Sequence, residues 1–469
     1  MLKLKKTITH LDEELYHKIE VGFQKNRADN FLFLFRAYRK GDISDAAISQ
    51  QLDLSSNSFY VLKSRLYDKV QEFLSGDLHL NKEEVIRLLH RIPEMTFTAS
   101  REVSMAFLLK LEKELLHFDM HNELLPVYSA LKKINIHSDK YFHYSQQYNK
   151  HMAFTMSLEK SEEILGNFTR ALGHYNFSRS QKQLETLHFL RKGINDHLAL
   201  NQSRQIEVIR NLIEIQLDVF CDIAPATVST EENLRATEKI LNDLPASSAY
   251  KSWQTALDYL FFEYFRKIND QKMARQYFDK VDCQRRTLLL YNTICFSSQF
   301  LQSRIIYLQQ AGATELLAQD EEEDFLHDEN DTHAVISLGL YKAMSFYYKK
   351  QYKESAAVLN HILNENSFKD YFHISTEIKL NLAYLYILLR DFELADNMLK
   401  NIQRKIKSEK LENYNNVLDL IRVFSTDIKN GGSKFDARQQ DNYLLFIGRN
   451  RRDKRILGHL LFELNKRYS

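Results

Sequence analysis

Glycine and proline are scarce in this chain, with 12 and 4 among 469 residues. Both punctuate tight turns, hairpins and bulges, so their scarcity argues against an all-β or α/β chain. Cysteine is sparse too. Cys221, Cys283 and Cys295 are too few and too scattered for a disulfide framework, and none belongs to a Cys-x-x-Cys pair. They read as small apolar residues of a reducing compartment. No run approaches the roughly 18 apolar residues of a membrane span, and no apolar stretch of signal-peptide length follows the basic start. The expectation is a cytoplasmic, soluble protein without membrane association. An excess of one charge is also missing: 64 Lys and Arg face 62 Asp and Glu, a formal +2 that selects no class of partner.

What remains is helix-forming. Hydrophobic residues make up 44% and charged residues 27%, as in ordinary globular proteins. Long stretches of Leu, Lys, Glu, Gln and Arg with few breakers predict an all-α protein. Residues 1–80 form a distinct helical module. A helical stretch over Leu11–Gly41 stops at the glycine, and Asp42 or Ser44 can cap a short helix through Leu52. A longer helix then starts at Ser55–Ser58, with Phe59, Leu62, Leu66, Val70 and Phe73 as one apolar stripe. Helical patterns follow from Lys82 to Phe424, with Pro93, Pro126, Pro225 and Pro245 as the hard breaks. The expected division is residues 1–80 as a cap module, 81–427 as a helical-repeat array, and 428–469 as a link and a basic capping helix.

Two stretches superimpose after a shift of 40 residues. Ala343, Phe346, Tyr352, Ser355, Leu359 and Ile362 fall onto Ala383, Tyr386, Phe392, Ala395, Leu399 and Ile402. Each reads as two amphipathic helices joined by a tight polar turn. One such pair cannot bury its apolar faces alone, so repetition predicts stacked hairpins. Phe265, Ala274, Phe278 and Val281 repeat the later spacings, with Phe262 in place of the first small residue. This pattern resembles the tetratricopeptide repeat, without its usual Trp-x-x-Leu-Gly opening and with a longer connection around Asn364–Tyr371. The run Phe59–Val70, after Asn30–Tyr38, resembles the front end of uncharacterised tetratricopeptide-like proteins of Bacteroidota. The resemblance implies an α-solenoid and no specific activity.

The motifs divide binding from catalysis. There is no Gly-x-Gly-x-x-Gly, P-loop, His-Glu-x-x-His or Gly-x-Ser-x-Gly, so no enzyme and no cofactor are expected. His117 and His121 stand four apart on a helix, a spacing that suits a metal, but no third ligand follows. Arg449–Arg455 is a basic run and Asp320–Asp331 an acidic one, and both read as solvated segments. Ala46–Leu66 has the layout of a helix-turn-helix, with Lys63 and Arg65 as basic residues, yet its second helix opens on apolar side chains where a DNA reader needs polar ones. The favoured expectation is a non-enzymatic scaffold that binds a protein or peptide on the first helices of its hairpins. Helical phase nominates Tyr347, Tyr384, Glu263 and Arg266 for that face. The alternative is a cytoplasmic regulator whose N-terminal module binds DNA while the array senses a ligand.

Overall fold

In the computed structural model every element among the described residues is a helix. The structure describes all residues other than 1, 10, 12, 26–27, 42, 76–81, 119, 201–202, 226–227, 244–247, 291–293, 320–330, 409–413, 433–436, 451–456, 459–462 and 469. Packing divides the chain into two compact units, the first mainly Met1–Lys160, the second Ser161–Asp243 with Ser247–Ser469.

The first unit opens with α1 (Leu2–Thr9), α2 (Glu13–Lys25), α3 (Asp29–Lys40), α4 (Asp45–Gln51) and α5 (Ser56–Ser75). Gly41 ends α3 at φ 78°, the left-handed position that glycine adopts without steric cost. Ser44 caps α4 by accepting the Ala47 N–H at 3.3 Å. Phe59, Leu66 and Val70 of the predicted stripe join Phe23, Leu34, Phe35 and Ile48 in one core, and Leu62 packs beside it. The side chain of Phe73 lies outside the described residues.

Next come α6 (Lys82–His90), α7 (Ile92–Thr98), α8 (Arg101–His117) and α9 (His121–Ile134). Helices α8 and α9 pack as a hairpin through Leu108, Leu111, Leu115, Leu124, Val127 and Leu131. Pro93 stands in the first turn of α7, where it costs nothing. Pro126, expected as a break, lies inside α9. The carbonyl it leaves unbonded belongs to Asn122 in the first turn, an exposed residue that water can satisfy. The long helix α10 (Lys140–Ser178) contains the boundary between the units.

In the second unit α11 (Gln181–Leu200) is followed by α12 (Arg204–Cys221), α13 (Thr230–Asp243), α14 (Ser248–Lys267), α15 (Gln271–Cys283) and the short α16 (Arg285–Leu290). Then come α17 (Gln299–Gln310), α18 (Glu315–Gln319), α19 (Thr332–Tyr348), α20 (Tyr352–Glu365), α21 (Phe372–Leu388) and α22 (Phe392–Ser408). The last are α23 (Asn415–Lys429), α24 (Ala437–Asn450) and α25 (Leu464–Tyr468). Adjacent helices pair as α12–α13, α14–α15, α19–α20, α21–α22 and α23–α24, and each pair stacks on a neighbour through α13–α14, α20–α21 and α22–α23. This is an all-α stack of helical hairpins. First helices also touch one another, as α12–α14, α17–α19 and α21–α23 do.

One backbone device builds these hairpins. Asn269, Lys350 and Arg390 stand at φ 63°, 61° and 62° just after their first helices, and Gly312 and Gly431 occupy the same place at 71° and 63°. At each, the left-handed residue donates its N–H three residues back and the next residue five back, as in Lys350 to Tyr347 and Gln351 to Phe346. That is the Schellman closure, which satisfies the last carbonyls of the first helix and reverses the chain. Lys350 and Arg390 lie 40 residues apart, in step with the sequence repeat.

The small positions of the repeat lie where helices cross. Ala343, Ser355, Ala383 and Ala395 are fully buried. The Ser355 hydroxyl donates to the Ala343 carbonyl at 2.7 Å, across α19 and α20. One turn before Ala343, a Cβ added to Gly339 would stand 2.4 Å from Ile362 Cδ1, so a larger residue there would force the Ile362 side chain to move. In the third copy Phe265, Ala274, Phe278 and Val281 are buried as well.

Candidate functional site

The first helices end in a row of tyrosines. Tyr347 and Tyr348 close α19, and Tyr384 lies in the last turns of α21. Tyr384 is buried, its ring 5.9 Å from Phe424 of α23. Burial, and then the neighbouring Tyr347 hydroxyl, raise its phenol above the ordinary range. Tyr347 is half-buried, its ring 5.3 Å from Tyr348 and 5.6 Å from Tyr352.

Over this row lies the segment that ends in α25. The Arg467 guanidinium donates to both oxygens of Asp427, with Nε at 2.8 Å and Nη2 at 3.1 Å, and the Tyr468 hydroxyl donates to the same carboxylate at 2.7 Å. Asp427 is buried on α23, so this is a desolvated, two-pronged ion pair with a third donor. Burial opposes the Arg467 charge, but Asp427 and the surrounding groups outweigh it and hold the guanidinium protonated. The Tyr468 side chain is fully buried. Its ring sits 5.6 Å from Tyr443 of α24, 5.9 Å from Phe424 and 6.2 Å from Tyr384.

The Gly458 N–H donates to Glu377 of α21 at 3.3 Å. Glu377 is itself fully buried and paired with His373 at 2.8 Å. On α19, burial is the main influence on the Tyr347 and Tyr348 phenols, and the Glu463 carboxylate adds to the upward shift of both. Leu457 is fastened near the end of α24, where its N–H donates to Asn450 Oδ1 at 2.9 Å. Gly458, Arg467 and Tyr468 therefore contact two successive hairpins, through α21 and α23.

Glu263 and Arg266 sit together near the end of α14. Glu263 is buried and accepts from Arg266 Nη2 at 2.6 Å and Nε at 3.1 Å. Its charge is the largest influence raising the Arg266 pKa above its ordinary value. The structure joins Tyr347 to Tyr384 and Glu263 to Arg266, as two separate clusters.

The N-terminal module has its own polar centre. Lys63 is buried and reaches Asp45 Oδ2 at 2.5 Å, and the Tyr38 hydroxyl donates to Asp45 Oδ1 at 2.9 Å. Burial opposes the Asp45 charge, yet Lys63 and Tyr38 together lower its pKa. A cleft of about 600 Å³ opens beside this pair, lined among others by Ser49, Gln50, Phe59 and Tyr60. Arg65 is exposed, as are Ser56, Asn57, Tyr60 and Ser64. His121 faces His151 across 2.9 Å between Nδ1 atoms, while His117 is exposed beside Phe118. Among the described residues no group of three potential ligands could hold a metal ion. From the basic run, Arg449 donates to Asp419 at 2.8 Å, and positions 451–455 lie outside the described residues. Of the acidic run only Asp331 is described, where it caps α19.

Of Asp427, Arg467 and Tyr468, the first and the last had a legible sign in the sequence. Asp427 continues the buried phase of Leu420 and Phe424, where a carboxylate needs a partner. Tyr468 continues the helical spacing of Leu457, Leu461 and Leu464, and Arg467 belongs to no periodic stripe. No protein-family model, curated protein or solved structure matches the chain.

Proposed function

We propose that the chain is a non-enzymatic helical-repeat scaffold of the tetratricopeptide kind, binding a protein or peptide partner on the first helices of its hairpins. One observation carries the reading: Gly458, Arg467 and Tyr468 are held against the first helices α21 and α23 by contacts to the buried carboxylates of Glu377 and Asp427. A face that seats one chain segment through a buried carboxylate and a row of rings has the chemistry to seat another. Peptide recognition in grooves relies on such anchors.

The regulator reading keeps one support, the exposed outer face of α5 with Asn57, Tyr60, Ser64 and Arg65. Against it stands Lys63, whose charge is spent on Asp45. A pull-down with the purified chain, followed by titration of the captured partner in pure form, tests the scaffold. A duplex titration at low salt, with Arg65→Ala as control, runs beside it. Saturable binding of a purified protein, with no salt-dependent duplex affinity, is the expected result. Duplex binding lost in Arg65→Ala, with no protein partner, would replace the scaffold by the regulator.

A further inference from the structure

Arg467 and Tyr468 meet the stack at one shared carboxylate inside a ring-lined pocket. Small and aliphatic side chains such as Ala383, Ala395, Leu399 and Ile402 are buried in the hairpins, and among the described residues the pairs Arg191–Glu214 and Arg304–Asp282 join separate helices without a phenol donating to the same carboxylate. Segment 463–468 instead inserts one guanidinium and one phenol, both onto Asp427, with Tyr384, Phe424 and Tyr443 closing around the ring. A planar guanidinium on a buried carboxylate fixes orientation, and an aromatic ring in a ring-lined pocket supplies area at small entropic cost. These are the two anchors expected of a short peptide ligand.

We infer that Asp427, Tyr384, Phe424 and Tyr443 form a recognition site for an arginine followed by an aromatic residue on a helical turn, and that the chain's own Arg467–Tyr468 occupies it as an internal ligand. The inference rests on the scaffold reading and names the chemistry of its partner: a peptide with a basic-aromatic pair that displaces segment 463–468. Acidic peptides would meet Asp427 with like charge. An internal segment competes at high effective concentration, so the site is held shut until an external Arg-aromatic peptide outcompetes it.

The test uses the full chain and a labelled synthetic peptide of sequence Glu-Leu-Asn-Lys-Arg-Tyr-Ser. The Arg467→Ala, Tyr468→Ala double variant vacates the site. It should bind the peptide about tenfold or more tightly than the unaltered chain does. Adding Asp427→Asn should weaken that binding about thirtyfold or more, and a peptide with Ala-Ala in place of Arg-Tyr should not bind. A helical double variant that binds the peptide no better than the unaltered chain overturns the inference. So does binding indifferent to Asp427→Asn, or binding confined to dimers that exchange segments.

Should the double variant fail to fold, hydrogen exchange of the unaltered chain decides. Amides of 464–468 exchanging well ahead of those of α21 and α23 support a displaceable ligand, and exchange in step with α23 overturns it. A purified partner that binds the unaltered and double-variant chains alike, while the peptide binds neither, removes this inference and leaves the scaffold standing. Peptide binding without any protein partner does the reverse.

Discussion

At the scale of single residues, buried polar groups carry most of what is specific about this chain. Lys63, Glu263, Glu377 and Asp427 each hold a partner that compensates for lost water, and the sequence marks none of these pairs. A carboxylate in apolar phase signals that a partner exists, and only the fold supplies which one. The cluster of His174, His333 and Tyr371 is of the same kind, drawn from three distant segments. His174 Nδ1 lies 2.5 Å from the Tyr371 hydroxyl, with the His333 ring 4.8 Å away. Burial first, then His333 and Arg170, lower the His174 pKa below its ordinary 6.5. As pH falls the unfolded chain therefore takes up this proton before the folded chain does. The stabilisation is complete above about pH 6.5 and is lost as pH drops through the lower folded-state value. Denaturant midpoints should fall between about pH 7.5 and 5.5, and His174→Gln should make that fall shallower. Identical pH profiles for the two proteins would show that His174 contributes nothing.

At the scale of elements, helices and their pairing were the most legible level, because they depend on local periodicity and on small residues at crossings. Ala343, Ser355, Ala383 and Ala395 were readable as crossing positions, and all four are buried. Enlarging Ala383 or Ala395 to Leu should therefore cost roughly 1–3 kcal/mol by overpacking. The same change at exposed Lys353 should be nearly silent, and equal midpoints for the three variants would refute the crossing assignment. The turns were less legible. Lys350 and Arg390 take the left-handed place that Gly312 and Gly431 occupy elsewhere, and nothing in a lysine or arginine announces a positive φ. A side chain there costs about 1–2 kcal/mol of strain. Part of that cost returns as lower backbone entropy in the unfolded chain. Lys350→Gly and Arg390→Gly should each stabilise by about 1 kcal/mol or somewhat less. A loss of stability in both, measured by denaturant titration, would mean that the side chains contribute contacts larger than the strain.

At the scale of the whole molecule, the division into two units falls at Lys160, inside α10. No glycine, proline or shift in composition marks the place, since a helix continues its local pattern whichever core it serves. Non-local packing decides such a boundary. The first unit depends on a core in which Leu66 is fully buried beside Phe35, Ile48 and Phe59. Leu66→Ala should remove roughly 2–5 kcal/mol from that unit, as truncation of a buried leucine does. In a stack whose hairpins contact mainly their neighbours, such a loss stays local. Hydrogen exchange of this variant should therefore show lost protection in α3, α4 and α5, while α19 to α24 keep theirs. The shared helix α10 is the one element whose protection should change in its first half and hold in its second. Protection lost equally from α3 through α24 would instead mean that the two units unfold as a single cooperative block.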